Sequence, residues 1–462
     1  MLKLKPVSFS SSTNKPSVDK AFQAFYEDKV EEVKNFVALS KAKKLASTYV
    51  NARINDIDTD PDFIDSRVRC SYNTWQVTHR TASANPNMQQ IPSHGQMAKI
   101  IKRMYIAPEG YILAKVDQSV FEIRGWGFLS GCNALKNVFL KCYDIKTKYR
   151  HTPTPELEVK LKTEADVHIQ NASLFFNKAI EDVTEDDRYA SKSCSFGYVY
   201  GKTISSMAKT LNRSEEEVKE IFNMFATNLP TAVNYIKNIK EFAARNYYVE
   251  APDGIRRNLF AYLLPKSHDE YNIHVARNNR LAANAPIQGF CSKVTMTSLR
   301  ILETEIFKLI KNNQINLGDI LPINQVHDSC ECLVRFNSFM KAIYLMEYCM
   351  TNKVMKYYKD VFNFEMQFPL QVDFEIGNDM SSYSKWDYSI MSLVKGLDAA
   401  LTQQNILYGI DKEKAFDEIF RDYSYYPQWM IKQIKFISKQ DYWSKLPDIV
   451  KHHLKQAVIV KS

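Results

Sequence analysis

With 462 residues, 45% of them hydrophobic and 24% charged, the chain is too long for one simple core and too apolar for a disordered polymer, which predicts several folded subdomains. The formal net charge of +9 suits a polyanionic partner without identifying one. The eight scattered cysteines lack a CxxC pair or a His at zinc-ligand spacing and read as buried thiols in a reducing compartment; no leader and no apolar run of about 18 residues is visible, which argues against secretion and membrane spanning.

Residues 7–18 are Ser/Thr/Pro-rich and predict irregular backbone, whereas Ala21–Tyr49 has apolar residues at helical spacing and predicts one or two helices. Tyr72–Pro92 turns to Asn, Thr, Ser, Gln and Arg. Tyr111–Val116 then reads as a buried strand ending at Asp117, followed by helical periodicity over Phe121–Leu140. Residues 142–165, Lys/Glu-rich with Pro153 and Pro155, predict a surface insertion. Residues 185–211 and 214–246 read as successive helices, the second opened by a capping box of Ser214 and Glu217. Pro286 is expected to interrupt any helix through Arg280–Gln288. Ile323–Val326 and Cys332–Val334 flank His327–Ser329 as two strands around a tight turn, and residues 389–462 are rich in Tyr, Trp and Lys without a legible motif.

Two groups of residues carry chemistry. In DDRYASKSCSFGYVYGKT, Arg188, Lys192, Phe196 and Tyr200 are four apart and share a helical face. The face joins two cations that suit triphosphate oxygens to aromatics that can stack on a base, and Gly197 would let a backbone or base approach closely. The same spacing also describes an ordinary amphipathic helix. Asp117 with Glu122 and Arg124, and His327 with Asp328, put carboxylates at two strand ends, where they can share hard divalent cations. For either segment alone, an Asp at a hairpin or strand end is more often a plain structural choice.

In this order, the segments resemble the A family of DNA polymerases, of the bacterial DNA polymerase I or phage type without an exonuclease domain. VDQSVFEIR resembles the family's first palm motif, RYASKSCSFGYVYG its finger helix and QVHDS its last palm motif. THRTASANPNMQQIP and RLAANAPIQG resemble its primer-template and minor-groove contact segments, and IGNDMSSYSKW its ending. The resemblance implies an α+β right-hand fold: a reduced thumb over 1–60, a palm with an antiparallel sheet over 61–132 and 290–388, helical fingers over 133–289, and a helical C-terminal extension over 389–462.

It further implies template-directed addition of dNTPs to a primer 3′ end by two-metal nucleotidyl transfer. Asp117 and Asp328 would be the catalytic ligands of two Mg²⁺ ions, with Mn²⁺ as a substitute. Arg188, Lys192 and His168 would bind the triphosphate, Phe196 would stack at the nascent pair, Tyr200 would close over the insertion site, and Glu122 would exclude a ribose 2′-hydroxyl. Arg80, Asn87, Gln89, Arg280, Asn284 and Gln288 would contact the primer-template duplex, and His327 would lie near the primer end.

The sequence departs from the family in three places: His79 stands where Gly is usual, Gln118–Val120 where Tyr-Ser-Gln is usual, and Ser329 where Glu is usual. Both aspartates remain, but Val120 removes a polar contact to the duplex and Ser329 a nearby acid. The short N-terminal region predicts weak DNA retention, and without room for a nuclease domain, editing or processivity falls to a separate subunit. A cytoplasmic location follows, in the host's cytoplasm for a viral source. Tyr423, Tyr425, Tyr426, Trp429, Trp443, Lys432 and Lys435 read either as a surface for a partner or DNA, or as a small structural extension. The rivals are a single-subunit RNA polymerase, opposed by Glu122 and the PIQG block, and a catalytically silent DNA-binding or assembly subunit, opposed by the joint presence of Asp117, Asp328, Arg188 and Lys192.

Overall fold

The computed structural model describes residues 4–9, 15–54, 67–74, 76, 79–92 and 95–461. Parts of the Ser-rich start (10–14), of the expected first palm segment (61–66) and Thr78 lie outside the described residues. The chain divides into two compact units, one formed by Met1–Ser71 with Ala84–Tyr105 and the other by Tyr72–Ser83 with Ile106–Ser462.

In the first unit, α1 (Lys20–Tyr26) and α2 (Glu31–Leu45) are followed by α3 (Gln96–Lys102). Helix α2 has Glu31 and Glu32 in its first turn and Lys43 and Lys44 in its last, complementing the helix dipole, and buries Val33 and Val37 one turn apart.

The second unit is built on a five-stranded antiparallel sheet of β1 (Tyr111–Gln118), β2 (Ile320–Val326), β3 (Ser329–Arg335), β4 (Val372–Gly377) and β5 (Ser384–Trp386), in the order β5-β4-β1-β3-β2. Alternation along the central strand decides which side chains meet. Val116 pairs with Phe374 and Cys330 on the core face, whereas Lys115 pairs with Glu375 and Glu331, and Asp117 with Asp373 and Ser329, on the opposite face.

Nine helices connect β1 to β2 among the described residues. They are α4 (Phe121–Ser130), α5 (Asn133–His151), α6 (Pro155–Lys162), α7 (Val167–Phe176), α8 (Glu185–Val199), α9 (Ile204–Leu211), α10 (Glu215–Asn228), α11 (Pro230–Asn246) and α12 (Tyr271–Lys311). Their aromatic core, with Trp126, Phe128, Phe139, Phe175, Phe225 and Phe290, is separate from the core beneath the sheet. After β3 come α13 (Phe339–Tyr348) and α14 (Val354–Phe362), and after β5 come α15 (Ile390–Tyr408), α16 (Lys412–Phe420), α17 (Gln428–Ile437) and α18 (Asp448–Lys461). No helix among the described residues is long and apolar enough to cross a membrane.

Several expectations are corrected. Helix α12 runs unbroken through Pro286, which is buried within it. The lost proline N–H costs one backbone bond, and burial along the 41-residue helix, including Ala282, Ile287, Phe290 and Val294, outweighs it. The expected helix over 185–211 breaks at Gly201, whose φ of +65° ends α8, and the one over 214–246 restarts at Pro230, the first residue of α11. Residues 142–151 are not a surface insertion: they complete α5 and bury Cys142, Ile145 and Tyr149, whereas α6 buries none of its residues.

The C-terminal tail is structural. Leu393, Leu397, Phe416, Phe420, Met430, Ile434 and Leu454 join Val116, Val334 and Phe374 in one core. Tyr426 is buried, with its hydroxyl donating to the Phe420 carbonyl, and Trp429 packs against the same core. The aromatics that read as docking material are therefore largely spent inward.

Candidate functional site

Strand β1 ends at the candidate site. Asp117 lies opposite Ser329 in the register, and the Gln118 N–H donates to the Asp328 carbonyl at 3.2 Å, which fixes the β2–β3 turn beside the end of β1. His327 in that turn adopts φ +55°, the left-handed geometry of a tight hairpin. Burial, then the nearby charge of Asp328, push the Asp117 carboxyl up to about 7, and burial raises Asp328 as well. Two carboxylates that resist ionising together form a site that a divalent cation would relieve. Among the described residues no group of three or more His, Cys, Asp or Glu converges on a metal position. Two carboxylates completed by substrate oxygens is nevertheless a donor set suited to Mg²⁺, so the residues fit the implied ions.

The departures at Gln118–Val120 have structural consequences. Gln118 is buried, accepting from the Thr295 hydroxyl at 2.8 Å and donating to the Met350 carbonyl at 3.2 Å. Val120 caps α4 at φ +51°, an unusual backbone for a β-branched residue, and this turn re-aims the chain from strand into helix. His79 also has a positive φ, +58°, the geometry for which glycine is the usual choice. Arg124 points away from the acids: it is buried, stacks over Phe139 at 4.2 Å and donates to the Pro369 carbonyl at 2.5 Å.

Helix α8 starts with a capping box of Thr184 and Asp187 and carries Arg188, Lys192 and Phe196, with Tyr200 as its C-terminal cap. All four border one groove of about 440 Å³. Arg188 is engaged, donating to Asp166 through Nε at 3.0 Å and Nη2 at 2.7 Å. The other Asp166 oxygen caps α7 by accepting from the His168 N–H at 2.7 Å. His168 is buried with no partner for Nδ1 among the described residues, and burial holds its imidazole down to about 4, so it is neutral at physiological pH. Its ring centroid lies 6.1 Å from that of Phe196. Gly197 does not serve an incoming base: a Cβ there would meet the Met207 side chain at 1.9 Å, so its missing side chain seats α9 against α8.

A second hydrogen-bonded group centres on Glu122. Its Oε1 accepts from Arg80 Nη2 at 2.6 Å and from the Tyr200 hydroxyl at 2.6 Å. With its amide oxygen turned toward Arg80, Gln288 accepts from Nη1 at 2.7 Å, the orientation the network favours. Arg280 packs against Gly201, and the Asn284 side-chain oxygen is buried without a partner among the described residues. Asn87 and Gln89 belong to the first unit, where the Asn87 side chain caps a short turn by accepting from the Gln89 N–H at 3.2 Å.

Sequence reasoning missed two acids. Asp373 pairs with Asp117 across β4, and the alternation of VDFEI was the available signal. Asp166, the partner of Arg188, carries no signal of that pairing in the sequence.

An antiparallel sheet with paired acids at one end, and a separate helical layer carrying cations and aromatics, is the layout of a palm-and-fingers protein. Residues 1–382 match the model of DNA polymerase family A, and the chain belongs to that family. It is 26% identical over 332 residues to DNA polymerase I of Pseudomonas aeruginosa, covering 71% of this chain and 32% of that protein. It is 25% identical over 348 residues to the thermostable DNA polymerase I of Thermus aquaticus, covering 74% and 38%. The chain thus spans about a third of the length of these curated relatives. The fold is similar to that of the POL domain of Pol1 from M. smegmatis in complex with DNA primer-template and dNTP, with a TM-score of 0.65 and 22% identity over 83% of this chain and 59% of that one.

Proposed function

We propose that this chain is a template-directed DNA polymerase that extends a primer 3′ end with dNTPs by two-metal nucleotidyl transfer. The observation that carries the reading is the convergence of Asp117 and Asp328 at the end of the sheet, in a family A chain that also presents Arg188, Lys192, Phe196 and Tyr200 along one helix groove. In this reading the palm is 61–132 with 290–388, the fingers 133–289, the thumb 1–60 and the extension 389–462.

The primer 3′-oxygen forms a bond to the α-phosphorus as the bond to the β-phosphate oxygen breaks, and pyrophosphate leaves with the electron pair. Divalent ions, Mg²⁺ or Mn²⁺, held by Asp117 and Asp328 would lower the pKa of the primer hydroxyl and neutralise charge on the leaving group. Arg188 and Lys192 bind triphosphate oxygens, which requires Arg188 to exchange Asp166 for phosphate. Neutral His168 donates a hydrogen bond to the phosphate chain. Phe196 stacks on the nascent pair, while the Glu122 carboxylate, held by Tyr200 and Arg80, occupies the space a 2′-hydroxyl would need. Arg80, Asn87, Gln89, Arg280, Asn284, Gln288 and His327 contact the duplex, where minor-groove acceptors at every base pair permit reading independent of sequence.

Primer extension by the purified protein with Mg²⁺ and either dNTPs or rNTPs tests the proposal. Template-dependent extension with dNTPs is expected; extension with rNTPs alone would move the assignment to an RNA polymerase, and DNA binding without extension to a silent subunit.

A further inference from the structure

Arg188 and His168 also line a cavity of about 460 Å³ whose other residues have no part in the proposed nucleotide addition. Ser119, His168 and Arg188 line it. So do Lys146 and Lys162 from α5 and α6 and Lys385 and Trp386 from β5. Most of the lining charges are matched internally: Arg188 by Asp166 at 2.7 Å, Lys162 by Glu158 at 2.7 Å, and Arg150 by Glu347 at 2.8 Å while it stacks over Tyr388 at 3.5 Å.

Lys146 differs. Among the described residues it has no hydrogen bond and no ion pair, and burial pushes its ammonium down from the ordinary range. Asp373, which also lines the cavity, is the acid whose charge it feels most, but the two form no ion pair. A cation removed from water without a close counter-charge is unfavourable unless an anion completes it. Lys385, exposed where it lines the cavity, is likewise without a hydrogen bond or ion pair among the described residues, and His168, which also lines it, has a buried Nδ1 without a partner among them.

We propose that this cavity binds inorganic pyrophosphate, with Lys146 as its principal contact and Lys385 at its mouth, and that it receives the leaving group after nucleotide addition. The inference rests on the nucleotidyl-transfer reading, because that reaction generates pyrophosphate beside Arg188. Arg188 lines both the α8 groove and this cavity, so a phosphate chain handed from one to the other keeps a guanidinium contact throughout.

Calorimetric titration of sodium pyrophosphate into the full chain, without DNA, tests the site itself. Lys146→Met is expected to weaken binding at least tenfold, Lys146→Arg to retain it within threefold, and Lys385→Met to weaken it by a few fold. In primer extension, the inhibition constant for pyrophosphate should rise at least tenfold more than KM for dNTP in Lys146→Met. Unchanged pyrophosphate affinity in a folded Lys146→Met chain overturns the proposal, as does an equal rise in both constants, which would place Lys146 in the incoming triphosphate site. Should Lys146→Met fail to fold, the Lys146→Arg and Lys385→Met titrations decide, and unaltered affinity in Lys385→Met counts against the site. Absence of extension by the unmodified chain would defeat the polymerase reading, while the titration would still report on pyrophosphate.

Discussion

Tyr200 donates its hydroxyl to Glu122 at 2.6 Å, and the same carboxylate oxygen holds Arg80 at 2.6 Å, tying the end of the α8 face to the helix that follows Asp117. Burial, and then the Glu122 charge, hold the Tyr200 phenol above its ordinary range, so it remains a donor through alkaline pH. Replacing Glu122 with Ala is expected to raise ribonucleotide use relative to deoxynucleotide use by at least about tenfold, because the polar obstacle to the 2′-hydroxyl is gone. Competition between rNTP and dNTP at a single template position measures it; an unchanged ratio would remove Glu122 from sugar selection.

Arg188 presents a different trade. Its carboxylate partner Asp166 must be displaced by phosphate, so removing either residue should act on nucleotide binding in opposite directions. Arg188→Ala is expected to raise KM for dNTP by about 10- to 100-fold, the scale of a lost charge-assisted pair. Asp166→Asn keeps a side chain able to cap α7 but removes the competing charge, and should lower KM by about threefold. Steady-state kinetics on one primer-template will show whether the signs differ; a higher KM in both would mean Asp166 positions Arg188 instead of competing for it.

The elevated Asp117 carboxyl makes metal-free stability depend on pH. Its ordinary value is 3.8 and its folded value about 7, so between these the folded chain binds more protons than the unfolded one, and stability falls as pH rises through that window. At pH 8 with chelator, Asp117→Asn should raise Tm by about 1–3 °C. Adding Mg²⁺ should stabilise the unmodified protein more than the variant. Thermal unfolding with and without Mg²⁺ checks both, and a variant less stable than its parent in chelator would contradict the repulsion argued here.

Gln433 joins the extension to the rest of the second unit. It is fully buried and accepts from the Ile390 N–H at 2.6 Å while donating to the carbonyls of Arg150 at 2.8 Å and Tyr388 at 3.0 Å. Gln433→Leu strands three backbone groups, two of them in buried bonds, and should cost about 2–4 kcal/mol in urea unfolding. An unaltered midpoint would show that water replaces the amide.

How much of this was legible in the sequence follows from where the specifying forces act. The β2–β3 hairpin and the carboxylate at the end of β1 were readable because alternation and turn chemistry are local. The face of Arg188, Lys192, Phe196 and Tyr200 was readable because four-residue spacing is a helix property. Pro286 misled because its local penalty is overridden by packing from distant segments, and Gly197 because Met207, its reason for being small, lies on the next helix. The neighbour of Asp117 on β4 depends on a pairing 256 residues away in the chain, and the unmatched Lys146 on a cavity it shares with Lys385, 239 residues away, which no local pattern encodes. The tail was illegible as function because its apolar residues complete the sheet's core.

The most direct measurement is single-nucleotide primer extension by Asp117→Ala and Asp328→Ala, beside DNA binding by the same preparations. Extension should fall by at least about 10³-fold in each while duplex binding persists, since these acids serve chemistry and not grip. Extension at the parental rate by either folded variant would contradict the account.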